Sequence, residues 1–403
     1  MAVFRSVTGL SLFRDLGELP EHDPLKHTLR RWVYRLAEQR INHQVLTELA
    51  EERKRDRPHA DTPGRSAVSF ATMLTRALSD APRREVWVRV LLANAASVSD
   101  ASVELWQRRR ELARRMGLDA PALIEAPLPD TPALAAQLAD ATRDRVEELS
   151  FASPAAFFEL AIGRDVPGSW PARLSPPRLM DYFRDGDLLR SLDLAPPPLP
   201  ASWGASSLCR ALGLLGGAWL EALAPRDQPF VVAHDPYGLM RHEAAALFAL
   251  LPLNPRFLQK HLDIAPHALA DVQQRLGRIW LLELAQIAFR VRLRAPALAG
   301  ENGFREAFSE LSHRDLCLSL PRAAAGAIFP LGVEDEQRLL GNLLAVRRAE
   351  QLRDVHDEDW FRNPRAIEQL RAEAQRPPPT QADPEAVTAA LKLTSKNLET
   401  LLR

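Results

Sequence analysis

Apolar residues recur every three or four positions along most of this chain, and this period constrains the fold more than any other feature. Charged residues occupy the positions between them. In a helix that spacing places the apolar side chains on one face and the charged ones on the other. The clearest stripe follows an Asp23-Pro24 pair, which supplies an N-cap and a first-turn proline. It consists of Leu25, Leu29, Trp32, Val33, Leu36, Ile41, Val45 and Leu49.

The helical period continues beyond this first stripe, and many of the segments begin with a polar residue followed by proline. Only residues 229–233, a short apolar run before a turn signal, suggest a strand. We therefore expect a mainly α fold: a large helical body with a central cleft between two halves and at most a minor β element. The other predicted helices cover 66–78, 84–94, 101–116, 132–149, 154–162, 176–184, 206–223, 238–250, 266–293, 304–311, 335–355, 364–374 and 384–391.

Two proline clusters divide the chain, at residues 195–200 and 376–379. Such runs favour extended geometry and act as spacers or surface straps. They predict an N-terminal helical half over 1–194, a C-terminal helical half over 201–375, and a linker with a tail helix over 376–403. The first cluster is either a strap across one body or a true linker. We expect the tail helix to be weakly attached.

Composition excludes several classes of protein. Lys plus Arg and Asp plus Glu both number 52, and this zero net charge argues against a nucleic-acid partner. No stretch approaches the ~18 apolar residues of a membrane span. The first residues lack the apolar run of a secretory signal, so we expect a cytoplasmic protein. Only five of the basic residues are Lys, which suggests the coding bias of a bacterial source.

The two cysteines, Cys209 and Cys317, are far apart in the sequence and cannot form a disulfide framework. His313 precedes Cys317 by one helical turn, which leaves a nucleophilic Cys–His pair as an alternative. The simpler interpretation of both cysteines is a small buried thiol.

One predicted helix carries part of a zinc-peptidase pattern. Such enzymes place His at positions i and i+4 of a helix, with Glu at i+1 as the general base. Here His242 and Glu243 are present, but Ala246 stands where the second His is needed. A catalytic zinc takes about three protein ligands, so this helix alone cannot hold one.

A second candidate residue is Glu283, which lies among Trp280, Leu282 and Leu284. A carboxylate in such surroundings is unfavourable unless it is paired or functional. One interpretation is a salt bridge to Arg278 or Arg241. The other is a metal-ligand position.

The stretch 350–366, with Glu358-Asp359-Trp360-Phe361 followed by Asn363-Pro364, resembles the C-terminal corner of bacterial helical zinc peptidases. The helix over 103–117 is similar to an early helix of the same proteins. These are the oligoendopeptidase-like and carboxypeptidase-Taq-like gluzincins, and the resemblance covers roughly residues 100–375. It implies a helical peptidase fold around a zinc site.

The resemblance also implies roles for individual residues. His242 would be the first metal ligand, Glu243 the general base and Glu283 the third ligand. These families use a C-terminal Tyr or His to stabilise the oxyanion. Neither Tyr34, Tyr182 nor Tyr237 lies in that region, which leaves His313 and His356 as replacements.

Because the second His is absent, the leading hypothesis is a non-catalytic protein with a peptidase-like fold, whose cleft binds a peptide or protein partner. It requires no cofactor and involves neither nucleic acid nor membrane. A divergent metal-dependent peptidase that uses zinc is one alternative. A structural or assembly subunit without a small-ligand site is the other.

Overall fold

The computed structural model describes residues 8–20, 23–57, 68–69, 84–118, 130–163, 176–183, 188–189, 192, 194–195, 204–225, 227–234, 238–376 and 382–403. Helices account for more than half of the whole chain, which confirms the mainly α fold. None of the described helices is both long and apolar enough to cross a bilayer.

Three helices of the N-terminal part begin where polar caps predict them. The side chains of Asp23, Asp130 and Ser153 each accept a hydrogen bond from a backbone N–H of the helix they precede. Two short antiparallel strands, β1 (Asp56–Arg57) and β2 (Val68–Ser69), follow the second helix. Of the predicted helix over 66–78, only residues 68–69 are described, and there the prediction is wrong because they pair with residues 56–57 as strand β2. The helices are α1 (Leu10–Gly17), α2 (Pro24–Lys54), α3 (Arg84–Ala93), α4 (Ala96–Arg115), α5 (Thr131–Glu148), α6 (Pro154–Ile162) and α7 (Pro176–Asp181).

The C-terminal part continues the helical pattern. The Asn363-Pro364 signal starts a helix as predicted, because the Asn363 side chain accepts a hydrogen bond from the Arg365 N–H. The helices are α8 (Ala205–Ala222), α9 (Phe230–Ala233), α10 (Leu239–Ala249), α11 (Pro255–Leu262), α12 (Leu269–Ala299), α13 (Glu301–Leu316), α14 (Asp335–His356), α15 (Pro364–Ala374) and α16 (Pro384–Leu402).

The strand predicted at residues 229–233 is wrong, because this segment forms the short helix α9. The Ala233 N–H donates to the Pro229 carbonyl, and Trp32 Nε1 donates to the carbonyls of Val231 and His234 at 3.2 and 3.0 Å. A lone strand would leave such backbone groups without partners. A tertiary contact from α2 therefore decides the local structure.

The long helix α12 lies at the centre of the body. Its middle packs with α5, α6, α13 and α14 in the largest hydrophobic cluster, where Leu281, Leu282 and Phe289 are fully buried. That cluster includes Leu138 and Phe157 from the N-terminal half, so both halves contribute to one core. The division at residues 194–201 stays a prediction.

A second cluster joins the first turns of α12 to α8, α10, α11, α14 and α15. A third, small cluster fastens α1 to α2 and α4 around Phe13 and Tyr34. Helix α2 also contacts α9, and a cleft lies between α2 on one side and α8 and α10 on the other.

The tail helix α16 packs more firmly than the sequence suggests. It is longer than the predicted 384–391 segment, and Val387, Ala390 and Leu398 are buried against α12 and α14. The end of α16 also lies close to α12, because a Cβ added at Gly277 would be 2.8 Å from the Cβ of Leu401. The weak attachment to the body that we expected for the tail helix therefore does not match the packing of α16.

Candidate functional site

Helix α10, which carries His242 and Glu243, is held between α8 and α14 by glycines. A Cβ added at Gly216 of α8 would lie 2.5 Å from the Ala244 carbonyl oxygen. A Cβ added at Gly341 of α14 would lie 2.6 Å from the backbone carbon of His242. Glycine permits this close approach of backbones, so the neighbouring helices fix the position of α10.

The structure pairs His242 with Glu334 and not with Glu283. His242 Nε2 lies 3.3 Å from Glu334 Oε2, and the two side chains are only 11% and 15% exposed. Arg35 Nη1 donates to the other carboxylate oxygen of Glu334 at 3.1 Å. The three side chains join α2, α10 and the residue immediately before α14. Sequence reasoning missed Glu334 and Arg35, because nothing in the local pattern connects such distant positions.

This network predicts a pH dependence of stability. Burial raises the pKa of Glu334, but the hydrogen bond from His242 and the charges of His242, Arg35 and Arg241 outweigh it and lower the pKa to about 2. The ionised carboxylate therefore stabilises the fold above its unfolded pKa of 4.5, and this contribution is lost as the pH falls towards 2. Replacing Glu334 by Gln should destabilise the protein by about 2–3 kcal/mol near neutral pH and by progressively less in acid. Urea denaturation at a series of pH values measures the difference.

The matched control is Glu306→Gln, which removes a carboxylate from an exposed pair with Arg322. Its effect on the free energy of unfolding should be small at every pH. A Glu334→Gln effect that stays constant with pH would contradict the account of this pair.

Glu243 is half-buried and lies near two arginines of α14. Burial raises the pKa of its carboxyl group, although the charges of Arg348 and Arg347 act in the opposite direction. Arg348 also forms an ion pair with Glu373 of α15. The residue expected to act as general base is thus surrounded by arginines of α14.

Glu283 lies among different cations from those predicted. Burial raises the pKa of its carboxyl group, and the charges of Arg290, Arg338 and Arg210 oppose this rise. The expected partners are engaged elsewhere: Arg278 donates to Gln274, and Arg241 pairs with Glu221 at 2.7 Å. Solvent reaches the Glu283 side chain.

These residues do not fit a zinc ion. His242, Glu243 and Glu283 each face different groups, and Ala246 is buried without offering a ligand. Across the described part of the chain, no three His, Cys, Asp or Glu side chains come together as a metal site. The ligand set that the resemblance implies is therefore not assembled among these residues.

The other described residues considered for catalysis show no contact with His242. His356 exchanges a hydrogen bond of 2.8 Å with Gln369 of α15, and His313 is exposed near the end of α13. Tyr237 lies outside the described residues. Burial raises the pKa of both thiols, Cys209 and Cys317, which makes them poor nucleophiles.

A cleft of about 360 Å³ opens beside this network, between α2 on one side and α8, α9 and α10 on the other. Arg35 belongs both to the network and to the wall of the cleft, and Arg241 and Arg376 line it as well. Glu221 is the one acidic residue among the described lining residues. The cleft thus has an excess of positive charge.

One wall of the cleft is aromatic. The ring centroids of Phe230 and Trp32 are 5.5 Å apart, and those of Phe230 and His234 are 4.4 Å apart. Phe230 is 63% exposed, which is unusual for a large apolar side chain. The hydrogen bonds from Trp32 hold α9 in place, so Phe230 is presented to solvent at a fixed position.

Two solved structures share this fold. An M32 carboxypeptidase from Deinococcus radiodurans R1 matches with a TM-score of 0.54 at 14% identity, over 99% of this chain and 89% of that one. A structure described as PZ peptidase A with inhibitor 2 matches with a TM-score of 0.60 at 9% identity, over 97% and 84%. The resemblance to helical metallopeptidases is therefore confirmed for the fold. A scan against protein-family models found no match, and a comparison with curated proteins found no similar sequence.

Proposed function

We propose that this protein binds a peptide in the cleft between α2 and helices α8 to α10, and that it does not cleave the peptide. The observation that carries the proposal is the pairing of His242 with Glu334 in a fold shared with peptidases. The fold keeps a cleft beside this pair, while the histidine that would hold a metal is bound to a carboxylate fixed by Arg35.

The lining of the cleft suits a short peptide segment. The surface formed by Phe230 and Trp32 offers a stacking face for an apolar or aromatic side chain. Gln39 and Gln228 supply amide groups that can both donate to and accept from a peptide backbone. At about 360 Å³ the cleft is at the small end of typical ligand sites, which favours recognition of one or two residues.

A binding measurement tests the proposal. Peptides selected from a displayed library of random heptamers should bind the purified protein saturably in fluorescence anisotropy. Replacing Phe230 by Ala should weaken the best of them by about tenfold, because the exposed ring would no longer contact the peptide. The substitution should leave stability nearly unchanged, since the side chain is mostly exposed.

Val355→Ala is the matched control. Val355 is a large apolar residue that is 70% exposed, on α14 and outside the lining of the cleft. Its replacement should not alter peptide affinity. If no peptide is selected, or if the Phe230 and Val355 variants bind equally well, the cleft is not the site and an assembly subunit becomes the better hypothesis.

A further inference from the structure

A second cavity, of about 290 Å³, lies under the tail helix α16 and shares no lining residue with the cleft. Its walls come from the end of α10, the first half of α12, the second half of α14 and the end of α16. Leu247, Leu250, Val346 and Leu401 supply apolar surface to these walls. The cavity opens to solvent on the side of Arg353 and Glu358, whose side chains are 42% and 45% exposed, so a ligand can enter it.

Two tryptophans from different elements line this cavity. Trp280 belongs to α12 and Trp360 to the turn before α15, and they are only 6% and 3% exposed. Their indole rings are therefore held in fixed positions. The face of an indole attracts cations more strongly than that of any other side chain.

Acidic residues outnumber basic ones around the cavity. Glu350 and Glu358 both line it, and Arg353 is the one basic residue among its described lining residues. Arg353 pairs with Glu350 and lies 3.6 Å from Glu358, so one negative charge remains. This excess opposes an anionic ligand and favours a cationic one.

From the two tryptophans, the apolar walls and the excess negative charge, we propose that this cavity binds a small organic cation of the alkylammonium class. The methyl or methylene groups of the ligand contact the leucines and the indole faces, and its positive charge lies towards Glu350 and Glu358. The site is independent of the peptide cleft and does not rest on it.

Three probes with the same branched skeleton test the charge preference: choline, its neutral isostere 3,3-dimethylbutan-1-ol, and the anion 3,3-dimethylbutanoate. NMR titration of the full-length protein should show saturable choline binding, about tenfold tighter than that of the alcohol. The anion should bind more weakly than either. Equal affinities for choline and the alcohol would show a merely apolar cavity and overturn the proposal, as would no choline binding.

Variants locate the site without disturbing the core. Replacing Glu350 and Glu358 together by Gln keeps the shape of both side chains and should weaken choline binding at least about threefold, with no change for the alcohol. Phe230→Ala, in the peptide cleft, should leave choline affinity unchanged. Choline binding that is insensitive to the two glutamines but lost in Phe230→Ala would place the cation in the cleft and overturn the assignment.

Discussion

Replacing Arg109 by Met should destabilise the fold by about 3–5 kcal/mol, because Glu38 would lose the partner of its buried charge. Arg109 Nε donates to Glu38 Oε1 at 2.8 Å, and both side chains are less than 10% exposed. Asn42 donates a second, longer hydrogen bond to the same oxygen. The pair connects α2 to α4, so its loss should lower the midpoint of denaturant unfolding followed by circular dichroism.

Two further variants separate the buried charge from the lost side chain. Adding Glu38→Gln to Arg109→Met removes the unpaired charge and should restore part of the stability. Arg115→Met, which breaks an exposed pair with Glu111 on the same helix, should change stability by no more than about 0.5 kcal/mol. If Arg109→Met and Arg115→Met proved equally mild, the buried pair would not have the structural role assigned to it.

Replacing Gly341 by Ala should destabilise the fold by about 1–3 kcal/mol, because the new methyl group would overlap the backbone of α10. His242 Cβ and the Glu243 nitrogen would lie 2.7 and 2.8 Å from it, and a backbone cannot move aside as a flexible side chain can. Thermal unfolding measures the loss.

Replacing Gly303 by Ala should change the free energy of unfolding in the opposite direction. Gly303 lies within α13, and a Cβ there would meet no atom within 4 Å. Alanine restricts the unfolded chain more than glycine does, so Gly303→Ala should stabilise by up to about 1 kcal/mol. Equal effects at the two positions would show that α10 and α14 are not packed as closely as described.

Local signals in the sequence predicted most of the helices, because periodicity and capping act over neighbouring residues. Asp23-Pro24 and Asn363-Pro364 both start helices as expected. The same signal at Asn254-Pro255 starts α11, a helix that was not among those predicted. Residues 229–233 were misassigned, since the hydrogen bonds from Trp32 come from a distant helix.

The candidate site was predictable only in part. Periodicity placed His242 and Glu243 on one helix, and the missing second His at Ala246 was visible directly. The carboxylate that His242 contacts could not be deduced, because Glu334 reaches it through tertiary packing of α10 and α14. Glu283 was expected near Arg278 or Arg241, but the arginines whose charges act on its pKa are Arg290, Arg338 and Arg210.

We propose that this protein, with its peptidase-like fold, binds peptides without cleaving them. Mass spectrometry of the selected peptides after prolonged incubation with the protein and added zinc tests it most directly. We predict that every peptide is recovered intact, and that the wild type and a Glu243→Gln variant give the same spectra. Cleavage products that form with the wild type and disappear in Glu243→Gln would contradict the claim and show that a divergent metal-dependent peptidase is the correct interpretation.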